Sequence, residues 1–283
     1  MSPARLRSCS RWPTDVTHIH PTAVVSPEAQ LDEGVDIGPY CVVGPQVKLG
    51  RNTRLFSHVH IEGDTEIGRD NQIFPGAILG TAAQTKDRED IPSKLVIGDE
   101  NLIREYVTIH KGMKAGSRTV IGSRTVLMTS SHVAHDCQVG DDVVMANLAT
   151  LGGHVTVGSG AVIGGLCGVH QLVRVGRLAM VGGVSKLSAD IAPFSMADGR
   201  PATYRGINVV GLRRVGMDSA TRMRLKKALS MLLSGHVNLQ TTLPNVEREL
   251  GDTPEVREVI DFIRASKRGV ARGLDENGPD EVV

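Results

Sequence analysis

The feature that most constrains this chain is an aliphatic residue at every sixth position along most of its length. Stepping by six from Ile19, the first eleven positions, up to Leu79, are all Ile, Val or Leu. The series returns at Ile97 and continues to Leu187, with one lapse at Ala115. A helix would show a period near 3.6 and a simple strand a period near 2, so the pattern predicts short strands that turn every six residues.

Three such units make one triangular coil of 18 residues, in which the aliphatic side chains point to the axis. The next coil stacks about 4.8 Å further along. Glycine commonly follows the aliphatic residue, as in Ile37-Gly38 and Ile67-Gly68, and suits tight turns because it tolerates positive φ. Only 3% of residues are aromatic, so the core must be narrow and filled by Val, Ile and Leu. The sequence therefore predicts a mainly β fold, a parallel β-helix of hexapeptide repeats.

Two polar insertions and a change of period organise the rest of the chain. Gly80–Lys94 and Lys111–Thr119 interrupt the coils and are predicted to be protruding loops, which on a rigid scaffold commonly carry binding residues. A helical pattern with a predicted start at Asp218 follows the last coil. We therefore predict four segments: a disordered N-terminal extension (1–15), a β-helix domain (16–191), a C-terminal α-helical domain (192–272) and a disordered acidic tail (273–283).

Composition argues against several classes of function. With 32 Lys and Arg against 31 Asp and Glu, the chain is nearly neutral, which argues against nucleic acid as a partner. The four cysteines are widely spaced without a CxxC pair, which indicates a reducing compartment, and we predict the cytoplasm. No apolar run approaches the ~18 residues of a membrane span, and neither a span nor a cofactor is predicted. The arginine-rich start of the chain could resemble a targeting peptide, but it has no amphipathic period.

Histidines gather in the segment SSHVAHDCQVG, Ser130–Gly140. His132 and His135 flank Val133, which occupies the inward position of its hexapeptide. Neither ring can therefore be part of the core, and both must face outward or lie at a corner of the coil. Several histidines in one such segment favour a functional site over an idle surface.

The 18-residue coil places further groups beside His135. Gly153 follows His135 by one coil, and His154 follows Asp136, each about 5 Å away in the stacking direction. An imidazole can take a hydroxyl proton near neutral pH, and a neighbouring backbone N–H can stabilise the oxyanion of a tetrahedral intermediate. We therefore predict acyl transfer, with His135 as the general base, Asp136 orienting or stabilising it, and Gly153 supplying the amide.

A zinc site is the alternative chemistry for the same histidines. His132, His135 and His154 could in principle supply three ligands. Their HxxH spacing is shorter than that of the β-helix proteins that are metal hydratases, so no metal is predicted. Zinc bound to the purified protein would separate the two hypotheses.

Longer motifs along the chain resemble one family. They are HPTAVV (His20–Val25), IGPYCVVGP (Ile37–Pro45), REYVTIHKG (Arg104–Gly112), SHVAHDCQVG, GGHV (Gly152–Val155), AVIGGLCGVHQLVRVG, MVGGVSKLSADIAP and GINVVGLRR (Gly206–Arg214). From Ile19 to about Arg272, their order and spacing resemble the UDP-N-acetylglucosamine acyltransferases that begin lipid A synthesis. The general rule for parallel crossovers predicts a right-handed coil. The resemblance instead implies the left hand of the hexapeptide-repeat transferases.

The resemblance implies a reaction and a set of roles. His135 would remove the proton from the sugar 3-hydroxyl, which attacks the thioester of a 3-hydroxyacyl chain on acyl carrier protein. The Gly153 amide would be the oxyanion donor. The family is a homotrimer with its clefts between subunits. The residues implied to bind substrate are His110, His132, His154, His170, Gln171, Asn208 and Arg214.

Two further features follow from the resemblance. Gly183 matches the position that stops the acyl tail, and a glycine there predicts a long chain, although Pro201 stands where relatives often place a histidine. The family's C-terminal helices help to dock the carrier protein. The segment Arg213–Lys227 holds six basic residues against Asp218, and within it we predict docking by Arg222 and Arg224.

Three departures concern recognition of the nucleotide sugar. Thr85 stands in the loop where the family usually has a QDLKY-like run, Val210 replaces a usual acidic residue, and Val215 replaces a usual Arg. The alternatives are therefore a transferase of this fold that acts on another UDP-amino sugar, such as a 3-amino analogue, or that uses acyl-CoA. A non-catalytic paralogue is a third hypothesis, and the set of His135, Asp136 and Gly153 argues against it.

Overall fold

The structure is a computed structural model that describes residues 16–86, 91–235 and 237–273. The predicted N-terminal extension and the predicted acidic tail from residue 274 onward lie outside these ranges. Short strands, mostly of two residues, occupy the chain up to residue 207, and helices follow. In the ranges that the structure describes, no helix is both long and apolar enough to cross a membrane.

The strands form three sheets, each taking every third strand up to β26, and β27 and β28 extend the first sheet. The first contains β1 (His18–Ile19), β4 (Asp36–Ile37), β7 (Arg54–Leu55), β10 (Gln72–Ile73), β13 (Leu102–Ile103), β16 (Val126–Leu127), β19 (Val144–Met145), β22 (Val162–Ile163), β25 (Met180–Val181), β27 (Ser195–Gly199) and β28 (Ala202–Ile207). The second contains β2 (Val24–Val25), β5 (Val42–Val43), β8 (His60–Ile61), β11 (Ile78–Thr81), β14 (Thr108–His110), β17 (His132–Val133), β20 (Thr150–Leu151), β23 (Gly168–Val169) and β26 (Lys186–Leu187). The third contains β3 (Gln30–Leu31), β6 (Val47–Leu49), β9 (Asp64–Ile67), β12 (Lys94–Ile97), β15 (Arg118–Ile121), β18 (Gln138–Val139), β21 (Thr156–Val157) and β24 (Arg174–Val175).

The strand register confirms the predicted coil. His132 pairs with Thr150, and Thr150 with Gly168, so that successive coils are offset by 18 residues in parallel. From Ile37 onward the inward aliphatic residues are buried, and Ile61, Val133 and Leu151 are fully so. Mostly small residues two positions earlier, such as Cys137 and Ala149, are buried in the same core.

Most of the hexapeptides turn through a residue of positive φ, and these residues stack into three corners of the coil. We name them by their composition. The histidine corner contains Asp136, His154 and Leu172; the arginine corner contains Arg124, Asp142, Gly160 and Leu178; the leucine corner contains Leu148, Leu166 and Val184. Positive φ is uncommon outside glycine, and it recurs here because the tight turn requires it.

Both predicted loops leave the coils where they were expected. The first connects β11 to β12, and Gln72 consequently pairs with Leu102, 30 residues later rather than 18. The second connects β14 to β15 and is shorter than predicted, because Arg118 and Thr119 already belong to β15. The two loops are neighbours, since β12 and β15 pair along four residues.

The C-terminal part begins with strands and continues with helices. β27 and β28 form an antiparallel hairpin on the end of the first sheet, which the sequence did not predict. The helices are α1 (Val209–Arg214), α2 (Ser219–Leu233), α3 (Leu239–Leu250) and α4 (Pro254–Arg264). The Asp218 side chain accepts a hydrogen bond from Thr221 N–H at 2.9 Å and caps α2, as predicted. A second core, including Phe194, Leu229 and Ile260, joins the helices to the last coils.

Candidate active site

His135 and Asp136 occupy one turn of the histidine corner, between β17 and β18. Asp136 takes the positive φ of the turn, 59°, a conformation that short polar side chains tolerate better than most. His135 Nδ1 lies 2.9 Å from Asp136 Oδ2. An ionised carboxylate can only accept, so this contact assigns the proton of the neutral ring to Nδ1. Nε2 is then a free acceptor, which is the state a general base requires.

Asp136 is held by several hydrogen bonds. Met113 N–H donates to its Oδ2 at 3.1 Å, and the aspartate's own N–H donates to Thr119 Oγ1 at 2.8 Å. Its side chain is only 8% exposed. Burial would raise the pKa of the carboxyl, but hydrogen bonds from Ser117, from His135 and from Met113 N–H outweigh burial and lower the pKa. Asp136 is therefore anionic at neutral pH and can stabilise a protonated His135.

Gly153 lies against the His135 ring, as the coil spacing predicted. A Cβ at this position would be 2.5 Å from His135 Cε1 and 2.6 Å from Nε2, so no other residue fits without displacing the imidazole. The Gly153 N–H has no acceptor among the residues that the structure describes. The Nε2 edge of His135 and an unused N–H group therefore lie within one turn of each other.

His154 completes the cluster. Its N–H donates to His135 O at 3.0 Å, and its ring stands edge-on to the His135 ring with centroids 5.1 Å apart. Its Nε2 is 3.8 Å from Asp136 Oδ2. Ligand atoms of His135, Asp136 and His154 all lie within 4.8 Å of one another, so the cluster could also hold a metal ion. Compared with the zinc set considered from the sequence, Asp136 takes the place of His132.

His110 and His132 form a second pair, with ring centroids 5.2 Å apart. His110 Nδ1 donates to Ala82 O at 2.8 Å, which leaves its buried Nε2 as an acceptor, and no described residue bonds to that nitrogen. His132 Nδ1 lies 2.7 Å from Thr108 Oγ1. Burial lowers the pKa of His110, and burial together with the nearby His110 lowers that of His132 to about 4. Both rings are thus neutral near pH 7 and would recognise a ligand by hydrogen bonds rather than by charge.

The remaining predicted binding residues are more dispersed. Gln171 follows Gly153 by a further coil, and His170 beside it is exposed, with Nδ1 3.2 Å from Gln171 O. Asn208 caps α1 through Gly211 N–H at 3.0 Å and donates to Leu178 O, in the arginine corner, at 2.9 Å. Arg214 is exposed at the end of α1. Within one chain, Asn208 and the His135 cluster are therefore associated with different corners.

Sequence reasoning missed the groups that hold Asp136. Met113 and Ser117 were recognised only as members of a loop, although a loop on a rigid scaffold was expected to carry functional residues. The position of this loop could have indicated them. The loop lies directly before β15, β15 pairs with β18, and Asp136 lies just before β18, so the loop and Asp136 are at the same end of paired strands.

The structure leaves room at Gly183, the predicted ruler. Gly183 is exposed, and a Cβ there would meet only Gly165, 3.4 Å from its carbonyl oxygen. The positive φ of this turn belongs to Val184 rather than to Gly183. Turn geometry therefore does not demand a glycine at this position.

The basic segment before and within α2 is partly neutralised by the other helices. Arg224 contacts Asp252 and Thr253, Lys227 contacts Glu249, and Arg222 contacts Met217 O. Asp252 and Glu249, the charged partners of Arg224 and Lys227, lie outside the segment whose charges were counted from the sequence, whereas the Met217 carbonyl that Arg222 contacts is uncharged and lies within it. Arg213, Arg214 and Lys226 make no ion pair within the ranges that the structure describes.

The fold and the site together define a β-helix acyltransferase, and comparisons with known proteins agree. A profile described as UDP N-acetylglucosamine O-acyltransferase, domain 2, matches residues 190–271. The acyl-[acyl-carrier-protein]–UDP-N-acetylglucosamine O-acyltransferase of Aquifex aeolicus is 56% identical over 255 residues, 90% of this chain and 98% of that protein. The enzyme of the same name from Thermodesulfovibrio yellowstonii is 46% identical over 258 residues, 91% of this chain and 100% of that protein.

A solved structure, LpxA from Acinetobacter baumannii, superposes with a TM-score of 0.86 at 38% identity and covers 90% of this chain and 99% of its own. The chain belongs to the acyl-[acyl-carrier-protein]–UDP-N-acetylglucosamine O-acyltransferase family and is an acyltransferase. The family resemblance and the left-handed β-helix expected from the sequence are thereby confirmed.

Proposed function

We propose that this protein transfers a 3-hydroxyacyl chain from acyl carrier protein to the 3-hydroxyl of UDP-N-acetylglucosamine, the first step of lipid A biosynthesis. The observation that carries the proposal is the contact of the His135 Nε2 edge with Gly153, whose N–H has no acceptor among the described residues. A base and an oxyanion donor side by side are what attack of a hydroxyl on a thioester requires.

The reaction follows from these positions. His135 Nε2 takes the proton of the sugar hydroxyl while its oxygen forms a bond to the thioester carbonyl carbon. The negative charge that develops on the carbonyl oxygen accepts a hydrogen bond from Gly153 N–H. When the intermediate collapses, the C–S bond breaks, and protonated His135 returns its proton to the departing thiolate. Asp136, anionic and bonded to Nδ1, stabilises the imidazolium in between.

The neutral histidines form the proposed binding surface for the amino sugar. His110 offers a buried acceptor nitrogen, which suits a hydroxyl or amide N–H of an amino sugar. His132, His154, His170 and Gln171 extend the same surface along the coils. Asn208 and Arg214 belong to the nucleotide end of this proposed site.

A homotrimer would bring these groups together. Asn208 is tied to the arginine corner of its own chain, whereas the His135 cluster lies in the histidine corner. A site that uses both must therefore form between the corner of one chain and the corner of the next. We assign the protein to the cytoplasm as well, consistent with the free, buried thiols of Cys41, Cys137 and Cys167.

Two sugar substrates compete in this proposal: UDP-N-acetylglucosamine and its 3-amino analogue. Val210 and Val215 expose 61% and 57% of their surface, at the positions where an acid and an arginine were expected. Apolar side chains there would alter contacts to the nucleotide sugar, so a 3-amino analogue is the second candidate. We also propose that Arg222 and Arg224 help to dock the carrier protein and that Gly183 sets the length of the acyl chain. The proposed domain limits are 16–191 for the β-helix and 192–272 for the C-terminal part.

The test is an acyl-transfer assay with purified protein and a 3-hydroxyacyl carrier protein. UDP-N-acetylglucosamine, its 3-amino analogue and other UDP-sugars are offered in turn, with products identified by mass, and acyl-CoA replaces the carrier protein in a parallel arm. An ester product from UDP-N-acetylglucosamine supports the first candidate, and an amide formed only from the 3-amino sugar supports the second. No product from any pair would contradict both. Zinc measured in the same preparation at one ion per chain would reopen the metal hypothesis.

A further inference from the structure

Cys137 lies behind the active-site turn and has no part in the proposed reaction. It is fully buried, directly after Asp136 in the chain. Its Sγ donates to Gly152 O at 3.2 Å, across to the next coil. Burial raises the pKa of this thiol to about 12, so it stays protonated and remains a donor at neutral pH.

The bonded carbonyl belongs to the same peptide unit as the Gly153 N–H. This peptide is trans, because the cis bond found in the described residues is Arg200-Pro201. In a trans peptide the C=O and N–H point in opposite directions within one plane. A carbonyl directed toward buried Cys137 therefore leaves the Gly153 N–H pointing away from Cys137, and the His135 ring lies against the same glycine.

Backbone contacts hold the two ends of this peptide but not its carbonyl. Gly152 N–H donates to Val169 O at 2.9 Å, and Gly153 O accepts from Leu172 N–H at 3.0 Å. In the part of the chain that the structure describes, no backbone N–H donates to Gly152 O. The Cys137 thiol is thus the group that fixes the rotation of the peptide plane, and a glycine on each side makes that plane easy to turn.

We propose that Cys137 is a positioning residue for acyl transfer, whose thiol hydrogen bond to Gly152 O orients the Gly153 N–H toward the thioester oxygen. The proposal rests on the proposed function and adds a residue to its oxyanion site. The same kind of contact recurs in the fold: Cys41 donates to Phe56 O, also at 3.2 Å, on a coil far from the active-site turn. That repetition supplies a matched control.

The experiment compares Cys137→Ala, Cys137→Ser and Cys41→Ala with wild type, using the 3-hydroxyacyl carrier protein and the UDP-sugar that wild type accepts. We expect Cys137→Ala to lower kcat about tenfold with KM within twofold, less than the 10²–10³-fold loss on deleting an oxyanion donor, because the donor is displaced and not removed. Cys137→Ser keeps a donor and should recover most of kcat. Cys41→Ala should keep the wild-type kcat. The apparent pKa in the pH profile of kcat should be the same in all four proteins, because His135 and Asp136 are untouched.

The outcomes separate this proposal from the function itself. Cys137→Ala with the kcat of Cys41→Ala would overturn the positioning role while leaving acyl transfer intact. Equal losses in the alanine and serine variants, with lowered thermal midpoints, would show a packing role instead and also overturn it. A wild-type protein inactive on every substrate pair would refute the proposed function, and with it this inference.

Discussion

Two corners of the same β-helix have similar backbones but use them in opposite ways. In the arginine corner, side chains of the next coil accept from the N–H groups of the turn: Ser123 N–H bonds to Asp141 at 2.8 Å, and Asp141 N–H bonds to Ser159 at 3.2 Å. In the histidine corner, the equivalent N–H groups of His135 and Gly153 have no acceptor within the described residues.

Of these two corners, the one whose N–H groups are unpaired among the described residues contains the predicted catalytic residues. Backbone N–H groups are almost always paired in folded proteins, so a corner that leaves them open must have another partner, water or substrate. We therefore expect the closed arginine corner to contribute stability and the open histidine corner to offer its N–H groups to a ligand.

His135→Ala should lower kcat/KM by roughly 10²–10⁴-fold, the usual cost of removing a general base. The thermal midpoint should change little, because the ring lies outside the axial core. Steady-state kinetics and a thermal melt of the same preparation measure both quantities. Near-normal turnover would exclude His135 from the mechanism and leave the histidine corner without a base.

Gly153→Ala should lower kcat by about 10²-fold, since an error near 1 Å in the position of a reacting group can cost that much. The added methyl would fall 2.5 Å from His135 Cε1 and push the ring away. Gly168→Ala is the matched control, because a Cβ there meets nothing within 4 Å. Equal activities of the two alanine variants would contradict the close packing of Gly153 on the base.

The sequence predicts the fold well because the inward aliphatic residue recurs in almost every hexapeptide, although a second residue two positions earlier, such as Val59 or Val155, is also buried. The aliphatic series defines the coil, and its 18-residue period by itself places Gly153 beside His135. The β27–β28 hairpin escaped prediction because it pairs antiparallel at the end of the repeat, where the period stops. The support of Asp136 by Met113 also escaped, because it depends on the path of a loop that obeys no period.

The surface charge of the helices could not be predicted from the sequence either. Counting Arg213–Lys227 alone gave a basic patch, whereas Asp252 and Glu249 approach it only after α2, α3 and α4 pack together. A net charge along the chain therefore does not define the charge of a surface.

Gly183→Met should shift acyl preference toward shorter chains. The position is open, and each methylene that the groove can no longer bury is worth about 0.8 kcal/mol, roughly fourfold in preference per methylene. A ladder of 3-hydroxyacyl carrier proteins, compared for wild type and variant, gives the profile. Identical profiles would remove Gly183 as a ruler. The variant should fold normally because Gly183 has no positive φ to lose.

Asp141→Ala tests the closed corner directly. It removes the acceptor of Ser123 N–H and a partner of Arg124, and should lower the free energy of unfolding by about 1 kcal/mol, as the loss of a capping side chain does. Denaturant titration measures the change, and kcat should stay at the wild-type value. A large loss of activity without a loss of stability would break the contrast between the two corners.

The smallest effect is expected for the docking residues on the helices, where paired and unpaired cations can be compared in the same way as the two corners. Reversing Arg222 and Arg224 to Glu should raise the KM for acyl carrier protein about threefold, within the ~1 kcal/mol that exposed charges contribute, and leave the KM for the UDP-sugar unchanged. The effect is small because Asp252 already neutralises Arg224. It should fade at high salt, where exposed charges are screened beyond a few ångströms.

Arg213→Glu provides the comparison, since Arg213 makes no ion pair among the described residues and its full charge faces solvent. If only that variant raised the KM for the carrier protein, docking would belong to the unpaired cations and not to Arg222 and Arg224. The rule drawn from the two corners would then extend to the carrier-protein surface, because groups already satisfied within the chain hold the fold and the unsatisfied ones meet the partner.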